Sequence, residues 1–343
     1  MGVFSTMAGL AGSFAATAAR RLRRGPKRAD WGLREEAIFT RMQAIFAPLA
    51  GLDPAGQRAL LAAQAVPTPV LRKVRIEPLN DGPVRGEWIT PKLIPTARTV
   101  VYLHGGGYVA GSPATHRELG ARISLASEAR VLMVDYRLAP EHRFPAAHDD
   151  AVAAVRHVLA QGVAPGRLVV AGDSAGGALA LAALVALRDA GEPLPAGGAL
   201  ISPAVDLSLS GRSMSENAPY DCIQLDLARS WVRHYLGTGD VRDPRCSPTN
   251  ADLAGLPPLL IQAGSAEALV DDAIALAEKG GAAGLQITLH VAPGMVHDFH
   301  LLAALLPQAR AAIRELGAFV REVTSGPARP KRPVDAGRPR VQR

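Results

Sequence analysis

Four short stretches of this 343-residue chain carry side chains that chemistry could use, and their order along the chain is informative. Gly172-Asp173-Ser174-Ala175-Gly176-Gly177 follows the apolar run Leu168-Val169-Val170-Ala171 and opens a helical pattern, so it reads as strand, turn and helix around a serine. In so tight a turn, side chains flanking the serine would strike the neighbouring strand and helix, which accounts for glycine on both sides. Ser174 would then lift its hydroxyl above a sheet edge, with a helix N-terminus beneath to favour developing negative charge. The same glycines would also suit a phosphate loop or a closely packed turn. His104-Gly105-Gly106-Gly107 follows the run Thr99 to Leu103. Successive glycines let backbone N–H groups converge on one point, as an oxyanion hole requires. Two of Gly105, Gly106 and Gly107, Gly106 foremost, are the expected donors together with the N–H of Ala175; a flexible turn is the alternative.

A serine hydroxyl needs a base to become a nucleophile, and the base needs an orienting acid. Both lie downstream. Glu267 stands three residues beyond Gly264, on a loop, whereas Asp271 and Asp272 fall in a helical first turn, where a carboxylate suits the helix dipole without catalytic duty. His297 follows Pro293-Gly294, a loop from which an imidazole can swing over the serine. His300, a helical turn deeper, and His104, within the glycine loop, are expected to be structural. The chemistry expected is acyl transfer: Ser174 attacks, His297 moves the proton, Glu267 steadies the imidazolium, and water clears an acyl-enzyme. No cofactor is expected. Cys222 and Cys246 stand 24 apart and no His-x-x-x-His set occurs, so no metal site is expected either.

The elements that must position these residues show in the apolar pattern. Short runs at 72–77 and 84–89, parted by Asn80-Asp81-Gly82-Pro83, predict two strands joined by a turn. Runs at 99–103, 131–134, 168–171, 199–202, 258–262 and 286–291 alternate with helical patterns such as 175–190 and 268–283. That alternation predicts an α/β fold, a mostly parallel central sheet covered by helices on both faces, with chemistry at the carboxyl ends of the strands. Trp31, Ile38, Phe39, Met42, Ile45 and Phe46 recur at helical spacing, so residues 29–70 are expected to form a helical N-terminal cap that roofs the site. The division expected is an apolar and basic arm (1–28), the cap (29–70), a catalytic domain (71–323) and a disordered basic tail (324–343).

Charge narrows the partners. The net charge is +7, but residues 1–28 contribute +6 and residues 324–343 contribute +5; subtracting both leaves −4 on the body. An acidic body with 4% aromatic residues excludes a nucleic-acid binder and leaves a small-molecule ester as the expected partner. Residues 1–19 are uncharged and the basic cluster follows them, the reverse of a secretory signal, so the cytoplasm is the default compartment. The arm could still rest on an anionic membrane surface, and Met1-Gly2-Val3-Phe4-Ser5-Thr6 matches the short N-myristoylation pattern. Homo-oligomerisation is open.

The glycine loop, the Gly-Asp-Ser-Ala-Gly-Gly elbow, Asp135-Tyr136-Arg137-Leu138-Ala139-Pro140-Glu141 and Phe144-Pro145-Ala146-Ala147 stand in an order and spacing that resemble one family over residues 70–321. It is the hormone-sensitive-lipase-like group of α/β-hydrolases, bacterial carboxylesterases. The resemblance implies an α/β-hydrolase fold, the triad order serine, acid, histidine, and structural polar roles for Asp135, Arg137 and Glu141. One departure stands out: the family's acid loop usually reads Asp-Pro-Leu, whereas here it is Glu267-Ala268-Leu269. A glutamate keeps the charge and the acceptors. Gly264-Ser265-Ala266-Glu267 looks like the loop of a subgroup that includes lactone hydrolases, so lactones join esters as expected substrates. Plant gibberellin receptors resemble the same family and bind without turnover, having lost the base, which His297 supplies here; acyl transfer to an alcohol or amine is a further alternative.

Overall fold

A computed structural model describes residues 3–326, apart from Val66 and Pro83. The tail beyond Gly326 and the first two residues of the myristoylation pattern lie outside the described residues. Helices α1 (Val3–Arg24), α2 (Leu33–Phe46) and α3 (Pro54–Ala62) precede the hairpin β1 (Val74–Asp81) and β2 (Val84–Pro91). There follow β3 (Arg98–Leu103), α4 (Pro113–Ser127), β4 (Ala129–Val134), α5 (Ala146–Ala160), β5 (Leu168–Asp173), α6 (Ala175–Asp189) and β6 (Gly197–Ile201). The chain ends with α7 (Ser213–Glu216), α8 (Leu225–Leu236), β7 (Leu259–Gly264), α9 (Val270–Ala282), β8 (Ile287–Ala292) and α10 (Pro307–Val323).

All eight runs read as strands are strands, joined in one sheet of order β1-β2-β4-β3-β5-β6-β7-β8. The hairpin and its join to β4 are antiparallel; every later pairing is parallel. Every residue of β5, β6 and β7 is buried, which requires cover on both faces and explains why these runs are apolar without alternation. Helix α6 is apolar all round for the same reason and is buried almost throughout. Register aligns the strand ends: Leu103 lies opposite Gly172, Asp173 opposite Ile201, and Gly264 opposite Ala292. The loops after β3, β5, β7 and β8, which carry His104, Ser174, Glu267 and His297, therefore leave from one edge.

The N-terminal helices sit over that edge. Trp31, just before α2, donates its indole N–H to the carbonyl of Gly294 at 2.6 Å. Gln43 of α2 donates to the carbonyls of Pro219 and Asp221. Arg58 of α3 donates to the carbonyls of Val109 and Ala139. The cap thus grips the loops that follow β3, β4, β6 and β8.

Residues 1–28, expected as a separable arm, behave differently where described. Helix α1 lies on α2: Thr17 is buried, and Ser13 donates to the carbonyl of Ala37. Arg20 and Arg21 both pair with Glu36, whose side chain is fully buried. Lys27 donates to Gln43 and Arg28 pairs with Asp30. Four of the six basic residues offered for anionic lipid are therefore engaged inside the protein, the reverse of the free basic cluster a membrane arm needs. Among the described residues no helix is long and apolar enough to cross a membrane.

Candidate active site

Ser174 occupies the β5–α6 turn with φ +52° and ψ −120°, a region sparsely populated by residues other than glycine. Such strain persists only where surroundings over-determine it. Its N–H donates to the carbonyl of Ile201, and its carbonyl accepts from Gly177, Ala178 and Ala204. A Cβ on Gly172 would collide with the carbonyl of Gly176, and one on Gly176 with that of Leu103. The flanking glycines are required by close approach, as the sequence argument held.

The glycine loop corrects one expected donor. The N–H of Gly105 donates to buried Asp173 Oδ2 at 3.0 Å, so it is already committed and not open to an oxyanion. The N–H groups of Gly106 and Gly107 meet no acceptor among the described residues. Ala175, as the first residue of α6, has no intrahelical acceptor for its own. Gly107 has φ +60°, and a Cβ there would enter the ring of Trp231 on α8. That indole is fixed in turn by its N–H to Gln57 Oε1 of the cap, at 2.8 Å.

Asp173 anchors this side. It also accepts from the Tyr102 hydroxyl at 2.7 Å and from His116 Nε2 at 3.2 Å. Burial opposes its charge, but His116 and the hydrogen bonds from His116 and Tyr102 outweigh burial and hold the carboxyl below the ordinary carboxylate range. His116 is correspondingly raised; burial alone would lower it, and Asp173 reverses that. His104 stacks on Tyr136, with ring centroids 4.2 Å apart, and its Nδ1 donates to the carbonyl of Gly105. Burial and the neighbouring His116 push it down to about 3, so it is a neutral structural imidazole.

On the other side, Glu267 and His297 are both buried and approach each other, with Oε1 3.9 Å from Nδ1. Glu267 Oε2 accepts from the Ser202 hydroxyl at 2.8 Å and from the N–H of Gly264 at 2.6 Å. Among the described residues, Oε1 and Nδ1 are left without hydrogen-bond partners. Of the three candidate acids, Asp271 instead accepts from the N–H of Ser213, and Asp272 from that of Asp206. His300 donates from Nε2 to Gln262 Oε1, and burial pushes it down to about 3. Among the described residues no hydrogen bond joins Ser174 to His297; Nε2 donates to Asp298 Oδ2 at 3.1 Å instead. Burial disfavours the imidazolium, yet Asp298 and Glu267 lift its pKa well above the ordinary value. Asp298 itself sits at φ +50°, and burial raises its carboxyl.

The chain has counterparts among known proteins. A family model of the α/β-hydrolase fold matches residues 100–301. An acetyl-hydrolase of Streptomyces hygroscopicus is 48% identical over 245 residues, covering 71% of this chain and 81% of its own. An esterase of Acinetobacter venetianus is 36% identical over 249 residues, 72% of this chain and 82% of its own. The solved structure of an esterase from the bacterial hormone-sensitive lipase family is 41% identical, with a TM-score of 0.79, and covers 83% of this chain and 98% of that one. The chain belongs to the hormone-sensitive-lipase-like family of α/β-hydrolases. With the family goes the enzyme class, carboxylic-ester hydrolase.

Within this hydrolase the Asp135–Glu141 motif is framework. Arg137 forks onto Asp150, and Glu141 receives the guanidinium of Arg58 from the cap. Five residues near the reacting groups had no part in the sequence argument: His116, Ser202, Asp221, Trp231 and Asp298. Only Asp298, next to His297, carried a positional signal. The others reach the site from distant segments, and no local pattern marks them.

Proposed function

We propose that this hydrolase cleaves short- to medium-chain carboxylic esters, lactones included, through a Ser174–His297–Glu267 triad and an acyl-enzyme. The observation that carries this reading is a pair of buried, partnerless atoms, Glu267 Oε1 and His297 Nδ1, 3.9 Å apart and near a serine held at φ +52°. With Oε2 pinned by Ser202 and Gly264, Oε1 is free to accept from Nδ1–H and fix the tautomer. In the neutral imidazole the proton that Nε2 shared with Asp298 has been lost to solvent, and the bare Nε2 turns to the hydroxyl of Ser174 and takes its proton as the ester carbonyl is attacked. Gly106, Gly107 and Ala175 supply the N–H groups for the tetrahedral oxygen. His297 returns the proton to the leaving alcohol, and a water activated by the same imidazole releases the acid. The glutamate in place of the usual aspartate supports including lactones in the substrate range. We read α2 and α3 as the roof that excludes water from this site.

A fluorophosphonate probe tests the triad. Ser174 should label stoichiometrically, and Ser174→Ala should abolish both labelling and turnover of aryl esters and lactones of graded length. Glu267→Gln should lower kcat by about 10²- to 10⁴-fold, by the logic of a base held in the wrong tautomer. Full activity in Ser174→Ala would sink the reading.

A further inference from the structure

We propose that Asp221 is a positioning residue of this site, a single buried carboxylate that ties the loop of the candidate acid to the loop of the candidate base. Its Oδ2 accepts the N–H of Ala268, the residue after Glu267, at 2.7 Å. Its Oδ1 accepts the N–H of His297 at 3.1 Å and that of its neighbour Cys222 at 2.8 Å. The side chain is wholly buried, so no water substitutes for these contacts. Near the strands the two loops are already joined, by Ser265 N–H to the carbonyl of Ala292 and Ala266 N–H to that of Met295. Asp221 adds the join at the far end, where Glu267 and His297 face each other.

The chemistry of the group matters as well as its place. An ionised carboxylate offers acceptors at both oxygens, whereas an asparagine would turn an NH₂ toward one of the N–H donors. Burial opposes the charge, while His297 and the amide hydrogen bonds favour it, leaving the carboxyl at about 6. The titratable groups facing it are His297 and Glu267 from the two loops and the Cys222 thiol beside it, which Asp298 faces as well. From the N-terminal side come Gln43, whose Oε1 accepts from the Lys27 ammonium, and Arg28, which lies over the neighbouring Tyr220 ring. An ionised Asp221 therefore favours the imidazolium that forms when His297 takes the proton from serine.

The backbone of Asp221 is itself held, in part from the N-terminal helices. Gln43 Nε2 and Gln224 Nε2 donate to the carbonyl of Asp221, and Asn217 Nδ2 donates to the carbonyl of Glu267. Asp221 links roof, acid and base in one chain of contacts.

The proposal rests on the triad reading, and its test separates the two. In Asp221→Asn, kcat should fall by about 10- to 100-fold, the range a small misplacement of reacting groups costs, with KM changed by less than about threefold and Ser174 still labelled by the fluorophosphonate. The acid limb of the kcat/KM profile should move to lower pH, because removing a negative charge lowers the pKa of His297; loosened packing alone would leave that limb in place. A folded Asp221→Asn with kcat within about twofold of wild type and an unmoved limb overturns the proposal. Should that variant not fold, Gln43→Leu decides: it keeps the carboxylate but frees its backbone, and should lower kcat by about two- to fivefold at constant KM. No change there would overturn the proposal. Ser174→Ala, assayed alongside, reports on the triad alone.

Discussion

Asp173 lies beneath the glycine loop and Asp221 behind the imidazole; both are fully buried, and each gathers N–H groups that shape its half of the site. Their counter-charges differ. Asp173 faces His116 and the Tyr102 hydroxyl, two groups that the proposed reaction leaves untouched, and it stays ionised. Asp221 faces backbone amides and His297, a group whose charge changes in every proposed turnover, and its carboxyl is pushed up to about 6. A buried carboxylate with a permanent partner is a strut. One whose partner is the base itself is both a strut and part of the electrostatics of the proton transfer.

The contrast breaks most sharply at Asp173. In Asp173→Asn, His116 loses the buried carboxylate that faces it, and breaking a buried pair of this kind costs about 3–5 kcal/mol. Urea unfolding at pH 7 should show that loss, with esterase activity falling as Gly105 is freed. In Asp221→Asn the loss should be smaller, about 1–3 kcal/mol for an unsatisfied donor, because the variant also discards a charge that burial disfavours. Equal losses in the two variants would erase the distinction.

Asp298 sharpens the contrast by showing what else sets the base. The proposed reaction needs neutral His297, so activity should fall as pH drops through its raised pKa. Asp298→Asn removes the carboxylate that contributes most to that elevation and should carry the acid limb of kcat/KM toward lower pH. An unmoved limb would assign the elevation to Glu267.

The contrast also extends to stability against pH. Asp173 has a folded pKa below its unfolded value, so its contribution is present above about pH 4 and is lost below it. Asp221 runs the other way. Its folded pKa of about 6 exceeds the unfolded value, so its penalty is full above pH 6 and is relieved as pH falls toward about 4. The stability of wild type relative to Asp221→Asn should therefore rise between pH 6 and pH 4, by up to about 1.4 kcal/mol per pH unit. A constant difference across that window would place the Asp221 pKa at its ordinary value.

Much of the scaffold was legible in the sequence because each strand is short, apolar and closed by a turn residue, a signal that depends only on neighbours. The elbow was legible for a related reason: Gly172 and Gly176 are demanded by backbone contacts that any such turn would make. The choice among Gly105, Gly106 and Gly107 was not legible, since it depends on where the Asp173 carboxylate points across a sequence distance of 68 residues. Asp221 reaches His297 across 76 residues and Ser202 reaches Glu267 across 65, from a segment between β6 and β7 that carries little periodicity. The basic stretch before α2 read as free because composition does not reveal Glu36, a buried acid on the helix packed against it.

The bond from the Trp31 indole to the carbonyl of Gly294 spans 263 residues and joins almost the first folded segment to almost the last. A buried indole N–H without an acceptor is costly, so a change that displaces the loop after β8 also unseats the linker before α2. On the reading proposed above, a chain cut short before residue 294 would lack both the base and the anchor of the helices that roof it.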